Sequence, residues 1–429
     1  MTHPDPMPTD GPWSLTRRLL FRFAFAYLLL YNLPFPLDII PGLDAVSGPY
    51  GKIWDFVVPQ VADDVFGVYA TNTPNGSGDT TFDYVQAFTF LVLALVATAA
   101  WSFLDRRRPH YRRLWDWLHV YVRFVLCATM LGYGFAKAVP TQFSPPSLDR
   151  LVQPFGDASP MGLLWTFMGA SAAYTIFAGL GEMVGGFLLL ARRTTLLGAI
   201  VSGGVLVNVV MLNFCYDVPV KLYSSHLLAM AIFLMLPDLG RLTNLLVLNR
   251  RAEPEPLRPL FRHRRLHIGA LVARTVFVFG LSGLFIFQEW QTIHQYGRLA
   301  PKSPLHGIWR VDEFVLDGQS HPPLLTDEVR WRRLIVNRPY QAVLQSMDGT
   351  RKRHGLELAE AKKTITLTKF DDLKWSAKLS YRRPTPKLLT LSGTLDGHKF
   401  QARLSREDES QFLLTSRGFH WINEYPYNR

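Results

Sequence analysis

The sequence predicts an α-helical membrane bundle of about seven transmembrane helices followed by an all-β antiparallel barrel or sandwich domain. Three observations predict it. Nearly all long apolar runs lie before Gln288, clusters of arginine recur in alternate loops between them, and from Leu305 onward the pattern changes to two-residue alternation broken by Asp-Gly dipeptides. Whole-chain averages conceal this division: the chain is 48% hydrophobic, and its mean hydropathy is only slightly positive because a polar last third offsets the apolar runs.

The first apolar run, 19–40, follows Arg17 and Arg18 and contains Arg22. No small-residue cleavage site follows it, so it reads as a retained first helix rather than a removed signal peptide. Further spans fall at 82–104, 114–138, 161–190, 194–214, 220–236 and 266–288, the fourth long and the sixth short. Small residues in Gly181 to Gly185 and in Ser202-Gly203-Gly204 let helix backbones approach closely in lipid. The loop 41–81 carries Ile53, Trp54, Val57, Val58, Val61 and Val65 at the spacing of an amphipathic interfacial helix. It ends in a glycine-rich turn, Thr73 to Thr80, with two readings: backbone N–H groups offered to an anion, or a helix N-cap at Asp79 or Thr80.

Arg106 to Arg113, Arg192-Arg193 and Arg250 to Arg265 all fall on one side of the spans, as do Arg17 and Arg18. The alternate loops carry few cations. The expectation is a bacterial inner-membrane protein with its N-terminus cytoplasmic and its C-terminal domain extracytoplasmic. The organisation expected is 1–113 for two spans and a long loop, 114–245 for a four-helix core, 246–300 for a basic loop and seventh span, and 301–429 for the β domain.

In that β domain Asp317-Gly318, Asp348-Gly349 and Asp396-Gly397 are hairpin signals, and Thr364–Thr368 and Ala377–Tyr381 alternate strictly. Eight or nine short strands closed into a small barrel or sandwich account for the spacing. Gly307-Ile308-Trp309 resembles the Gly-x-Trp that opens lipocalin-like barrels, with Arg417 as the expected partner of the Trp.

The net charge is +12, yet many of the cations flank apolar helices, which argues against nucleic acid and for a membrane. The tail after Pro301 is basic as well, roughly +7 by residue count. The two cysteines, Cys127 and Cys215, lie in or beside apolar helices, and no Cys/His set points to a metal site, haem or Fe–S cluster.

Charges within spans cost at least about 2.5–3.5 kcal/mol at mid-helix, so each requires a partner or a role. Counting from the cytoplasmic helix ends puts Arg123 and Glu182 at similar depth and predicts a structural ion pair between them, with Arg274 in the seventh span as competitor. Arg123, Cys127, Met130, Gly134 and Lys137 share one face of the third span, with Tyr133 one turn before Lys137. Asp217 and Lys221 stand at i, i+4 after Asn213. Lys137, Gln142, Asp217, Lys221 and His226 all fall in one leaflet. Two readings stay open: a pocket in which Lys137 and His226 transfer protons, with Asp217 and Lys221 orienting them and Tyr133, Gln142 and Asn213 binding ligand, or interfacial snorkelling.

The stretch Gly132-Tyr133-Gly134-Phe135-Ala136-Lys137, the Gly181-Glu182 helix and Arg192-Arg193 together resemble the DoxX-like family of bacterial membrane proteins. The resemblance covers roughly residues 115–245 and implies a four-helix core. It also implies membership of an oxidoreductase system, as in the thiosulfate:quinone oxidoreductase subunit of that family. The added spans and the β domain depart from its simplest members. The Tyr-x-x-x-Lys pattern and outer β domain also resemble vitamin K-dependent carboxylases, in which a Lys acts as base near a quinol; the spacing around Lys137 departs from theirs. The expectation is a quinone or similar lipophilic molecule in an outer-leaflet pocket, with a redox partner subunit or periplasmic protein as associate. The alternative is a non-catalytic scaffold or transport-related module whose β domain binds a partner or lipid.

Overall fold

The computed structural model describes residues 11–253, 263–372 and 374–428. Arg258 and Arg262 of the expected basic loop lie outside the described residues. The chain divides into two compact units, Met1–Ala138 with Phe177–Phe287, and Val139–Ile176 with Gln288–Arg429. Among the described residues seven helical stretches are long and apolar enough to cross a membrane, as expected of a multi-pass membrane protein.

In the first unit, α1 (Leu15–Asn32) begins at Ser14, whose hydroxyl accepts from the Arg17 N–H at 3.2 Å. Arg22, only 2% exposed, donates to the Tyr111 hydroxyl, Ser102 Oγ and the Asp105 carbonyl, so each of its three nitrogens has a partner within the protein. Helix α2 (Asp44–Phe66) fills the long loop and ends at Gly67, whose φ of +62° terminates it in the left-handed region. Trp54, Val58 and Ala62 on α2 pack on Phe82, Val85 and Phe90 of α3 (Thr81–Leu104), while Ile53, Phe56 and Val65 face outward. The amphipathic reading therefore holds, with its inner half turned to protein.

Helix α4 (Arg112–Ala138) is the most buried of the seven, and Leu118, Val122, Leu126, Cys127, Met130 and Leu131 form the centre of the bundle core. Two further elements, α5 (Leu148–Leu151) and α6 (Pro160–Ala170), belong to the second unit. The expected fourth span at 161–190 is thus divided. Ser171 is extended and its hydroxyl accepts from the Tyr174 N–H at 3.3 Å, which starts α7 (Ala172–Leu189) as a separate helix. Helix α8 (Thr195–Cys215) runs into α9 (Lys221–Met235), the latter extended by a 3-10 turn at Leu236–Asp238, α10 (Leu239–Leu242) and a π turn at Thr243–Val247. The sixth span therefore reaches Val247 rather than 236. The last long helix, α11 (Arg264–Gln295), is almost wholly uncovered along its apolar window, 6% buried.

Glycine sets the α4–α7 approach. A Cβ on Gly179 would lie 2.7 Å from the Gly134 carbonyl and the Ala138 amide, and one on Gly134 would lie 2.5 Å from Met183. Between α7 and α8, Gly185 fits against Ser202 in the same manner, as the small-residue pattern predicted.

The second unit is built on a closed eight-stranded antiparallel barrel. The strands are β1 (Gly307–Leu316), the short β2 (Gln319–Ser320), β3 (Trp331–Arg338), β4 (Gln341–Ser346), β5 (Arg351–Ala359), β6 (Thr364–Lys369), β7 (Ser376–Thr385), β8 (Leu388–Leu395) and β9 (His398–Arg406). Neighbours pair in order, β1 skips to β3, and β1 pairs with β9 to close the ring, leaving β2 as a hairpin appended to β1. All three Asp-Gly dipeptides turn hairpins; in the first and third both residues adopt positive φ, as a two-residue turn requires. Trp309, Phe314, Trp331, Leu334, Leu344 and Phe400 fill the interior. Trp309 donates to the Leu305 carbonyl at 2.8 Å, and the cation over its ring is Arg383, at 5.5 Å. Arg417, the expected partner, instead covers Tyr427, because it follows the last strand and α12 (Leu413–Ser416). On the outer face, Ile308, Ile335 and Val343 are covered by Leu148, Leu151 and Val152, which is why 139–176 belongs with the barrel and not with the expected 114–245 core.

Gly179→Leu forces side-chain atoms into the α4 backbone. It is expected to lower stability by about 1–3 kcal/mol or more, measured by denaturant unfolding in mixed micelles, whereas Gly204→Leu, with open space at its Cβ, is expected to be near neutral.

Candidate functional site

The site is assembled at the end of α4 that carries Lys137. Lys137 Nζ lies 2.9 and 2.8 Å from the two carboxylate oxygens of Glu182, with side-chain exposures of 9% and 6%. Nζ also stands 5.3 Å from the centre of the Tyr133 ring, within range of a cation–π attraction. The expected Arg123–Glu182 pair is therefore corrected to Lys137–Glu182. The α4–α7 register explains the difference: Gly179 sits against Lys137 and Ala138, and Gly186 against Leu131 and Cys127. Arg123 then falls roughly 16 Å from the level of Glu182 at 1.5 Å per residue. The sequence count took the two helix ends as level, but α4 extends well beyond Leu189, the last residue of α7. Arg123 donates instead to Thr195 Oγ1 at 3.3 Å. Cys127, Met130, Gly134 and Lys137 are all buried, so the predicted polar stripe does face the interior.

His226 is fixed from three directions. Its Nδ1 is 2.7 Å from the Leu222 carbonyl, which only accepts, so the proton resides on Nδ1. Nε2 then accepts from the Tyr27 hydroxyl at 2.6 Å. The Tyr31 ring stacks on the imidazole at 4.0 Å and an interplanar angle of 4°. Tyr27 and Tyr31 stand one helical turn apart on α1, a spacing visible in the sequence.

Asp217 and Lys221 pair as expected, at 2.9 Å, but Asp217 is exposed, its side chain 83% accessible. The buried carboxylate here is Asp79, 3.6 Å from Lys221 Nζ. Asp79 also accepts from the Lys221 and Leu222 backbone N–H groups at 2.8 and 2.9 Å, capping α9 from a distant loop. Gly78 N–H donates to the Pro219 carbonyl at 2.8 Å. The glycine-rich turn thus supplies an anion to a helix N-terminus, while Thr80 caps its own helix in a capping box with Asp83. Asn213 donates to Ser224 Oγ at 3.0 Å and joins α8 to α9. Gln142 lies in the second unit, its Oε1 buried. The residues expected to converge thus separate into a Lys137–Glu182 pair, a His226 aromatic stack and an Asp79–Lys221–Asp217 cluster.

What joins the first two is a cavity of about 380 Å³ lined by Tyr31, Asp83, Gln86, Phe90, Tyr133 and Tyr223, with Gly78, Ala87, Val220 and Leu222 completing it. Tyr31 is the ring stacked on His226, and Tyr133 is the ring beside Lys137. Tyr223 is 3.3 Å from Thr129 Oγ1. Aromatic rings and polar groups line this half-open recess together, and its volume falls in the range of small-molecule sites. Tyr31, Asp83, Gln86 and Tyr223 were not anticipated, since each reads in isolation as ordinary helix content. Among the described residues no group of His, Cys, Asp and Glu has the geometry of a metal site.

Removing one member of the buried pair strands the other. Glu182→Ala or Lys137→Ala is expected to lose about 3–5 kcal/mol, and the double variant Lys137→Met/Glu182→Leu to recover most of it. Unfolding in mixed micelles measures both; additive losses in the double variant would contradict the pairing.

No family model matches the chain, and no solved structure matches it. It is 34% identical over 118 residues, 27% of this chain, to the "Uncharacterized protein YwoB" of Bacillus subtilis (strain 168), of which the match covers 73%. On that identity and coverage, the chain belongs to the same family as YwoB.

Proposed function

We propose that the cavity bordered by Tyr31, Tyr133 and Tyr223 receives the headgroup of a quinone-like lipophilic molecule, and that the chain is a DoxX-like membrane component of an oxidoreductase system. The observation that carries this is that two walls of one cavity each rest on a titratable group: Tyr31 on the half-buried His226, and Tyr133 beside the buried Lys137. A planar ring stacks on aromatic walls, and its carbonyl oxygens accept hydrogen bonds from tyrosine hydroxyls and the Gln86 amide. Lys137–Glu182 and His226–Tyr27 then serve as proton reserves behind those walls, with Asp79, Lys221 and Asp217 holding α9 in place. Electrons come from a partner subunit. In this reading the membrane is the bacterial inner membrane and the N-terminus is cytoplasmic. The arginine-rich loops support that orientation, and with it the barrel is periplasmic.

A second reading, a membrane scaffold whose β domain binds a partner or lipid, is favoured by the exposed Phe419, Trp421, Ile422 and Tyr425 at the C-terminal end. Deleting residues 301–429 separates the two: loss of complex formation with redox behaviour intact supports the scaffold.

Titration of the purified protein in detergent with decylubiquinone is expected to show saturable binding, weakened about tenfold in Tyr133→Leu. No affinity, together with unaltered cellular redox activity in Lys137→Ala, would refute the proposal.

A further inference from the structure

The barrel carries a second built recess, of about 480 Å³, on the outside of β1, β3 and β9. Arg310, Arg332, Arg333 and Arg406 line it, with Ser405 and Gln411 at its edge. Strand pairing explains their convergence. Arg310 lies directly opposite Arg333 on one side and opposite Ser405 on the other. Like charges directly opposite in antiparallel strands repel, so each guanidinium here calls for an anionic partner.

A bulge adds the fourth cation. The β3–β4 register shifts between Trp331, opposite Ser346, and Arg333, opposite Gln345, leaving Arg332 as the extra residue. Strict alternation would send Arg332 to the side opposite Arg333; the bulge instead re-aims it, so consecutive arginines face one recess while Trp331 and Leu334 stay in the core.

The carboxylates present engage three of the four arginines and leave Arg332. Glu407 is held by Arg333 at 2.8 Å, with 9% side-chain exposure. Arg310 is 3.3 Å from Asp312, Arg406 is 3.1 Å from Glu409, and Asp408 accepts from the Ser410 N–H. Among the described residues Arg332 makes no ion pair or side-chain hydrogen bond. Of the lining residues four are cationic, and only Glu407 and Asp408 are anionic.

We propose that this recess is a binding site for a phosphate group, with Arg332 and Arg310 donating to its oxygens and the Gln411 amide completing the contacts. Guanidinium forks match phosphate oxygens two at a time, and several around one space suit a dianion better than a single carboxylate. The phosphate belongs either to a free small molecule or to a lipid headgroup.

The experiment is calorimetric titration of the full-length protein in phosphatidylcholine nanodiscs with inorganic phosphate in a chloride buffer, repeated in nanodiscs containing phosphatidic acid. Saturable phosphate binding that weakens about tenfold in both Arg332→Gln and Arg310→Gln, but not in Arg382→Gln elsewhere on the barrel, supports the site. If phosphatidic acid suppresses the phosphate heat of the wild type, the occupant is a headgroup; if it has no effect, the occupant is free. Absence of phosphate binding in the phosphatidylcholine discs, or binding unchanged in Arg332→Gln, would overturn the proposal. Arg332 is exposed on the bulge, so its substitution leaves the barrel core intact.

Discussion

Everything at the candidate site depends on one constraint: a charge removed from water must meet its partner at hydrogen-bond distance. Lys137 and Glu182 satisfy it from two different helices, at 2.8 Å and nearly without exposure. They meet because α4 and α7 approach closely through Gly134 and Gly179, where a larger side chain would clash. The glycines fix the helix spacing and register, the register fixes the ion pair, and the pair fixes the Lys137 ammonium beside the Tyr133 ring. Arg22 obeys the same rule at the other end of the bundle with neutral partners, Tyr111, Ser102 and the Asp105 carbonyl.

The cavity inherits its shape from these fixed points. Tyr133 is set by α4, Tyr31 by its stack on His226, and the mouth of α9 by Asp79 reaching over from the loop before α3. A loop of small residues thereby becomes structural. Its carboxylate satisfies two orphan amides and attracts the Lys221 ammonium, so Val220, Leu222 and Tyr223 are presented to the cavity from a capped helix end. Preorganised walls of this kind bind planar ligands with little ordering cost.

The apolar runs and the Asp-Gly turns carried the architecture in plain sight, because hydrophobic length and two-residue alternation are local properties of the chain. The α4 stripe was legible for the same reason. Pairing between helices was not. Which cation meets Glu182 depends on helix offset, and a count from assumed membrane edges misses it when one helix extends past its neighbour. The break at Ser171 was visible only as a capping residue inside an apolar run. Tyr31 and His226, and Asp79 with the α9 amides, are far apart in sequence, so no spacing rule joins them. Asp217 shows the converse: its i, i+4 pairing with Lys221 was correctly read, yet the exposure of its carboxylate removes it from the buried site.

The central claim is that the tyrosine-lined cavity holds a planar lipophilic headgroup beside Tyr31 and Tyr133. The most direct measurement is an experimental structure of the protein in nanodiscs made from native lipid extract. A flat density is expected between Tyr31, Tyr133 and Tyr223, within hydrogen-bond distance of a tyrosine hydroxyl or Gln86. A cavity filled by acyl chain, or closed by the side chains of α3 and α9, would contradict it.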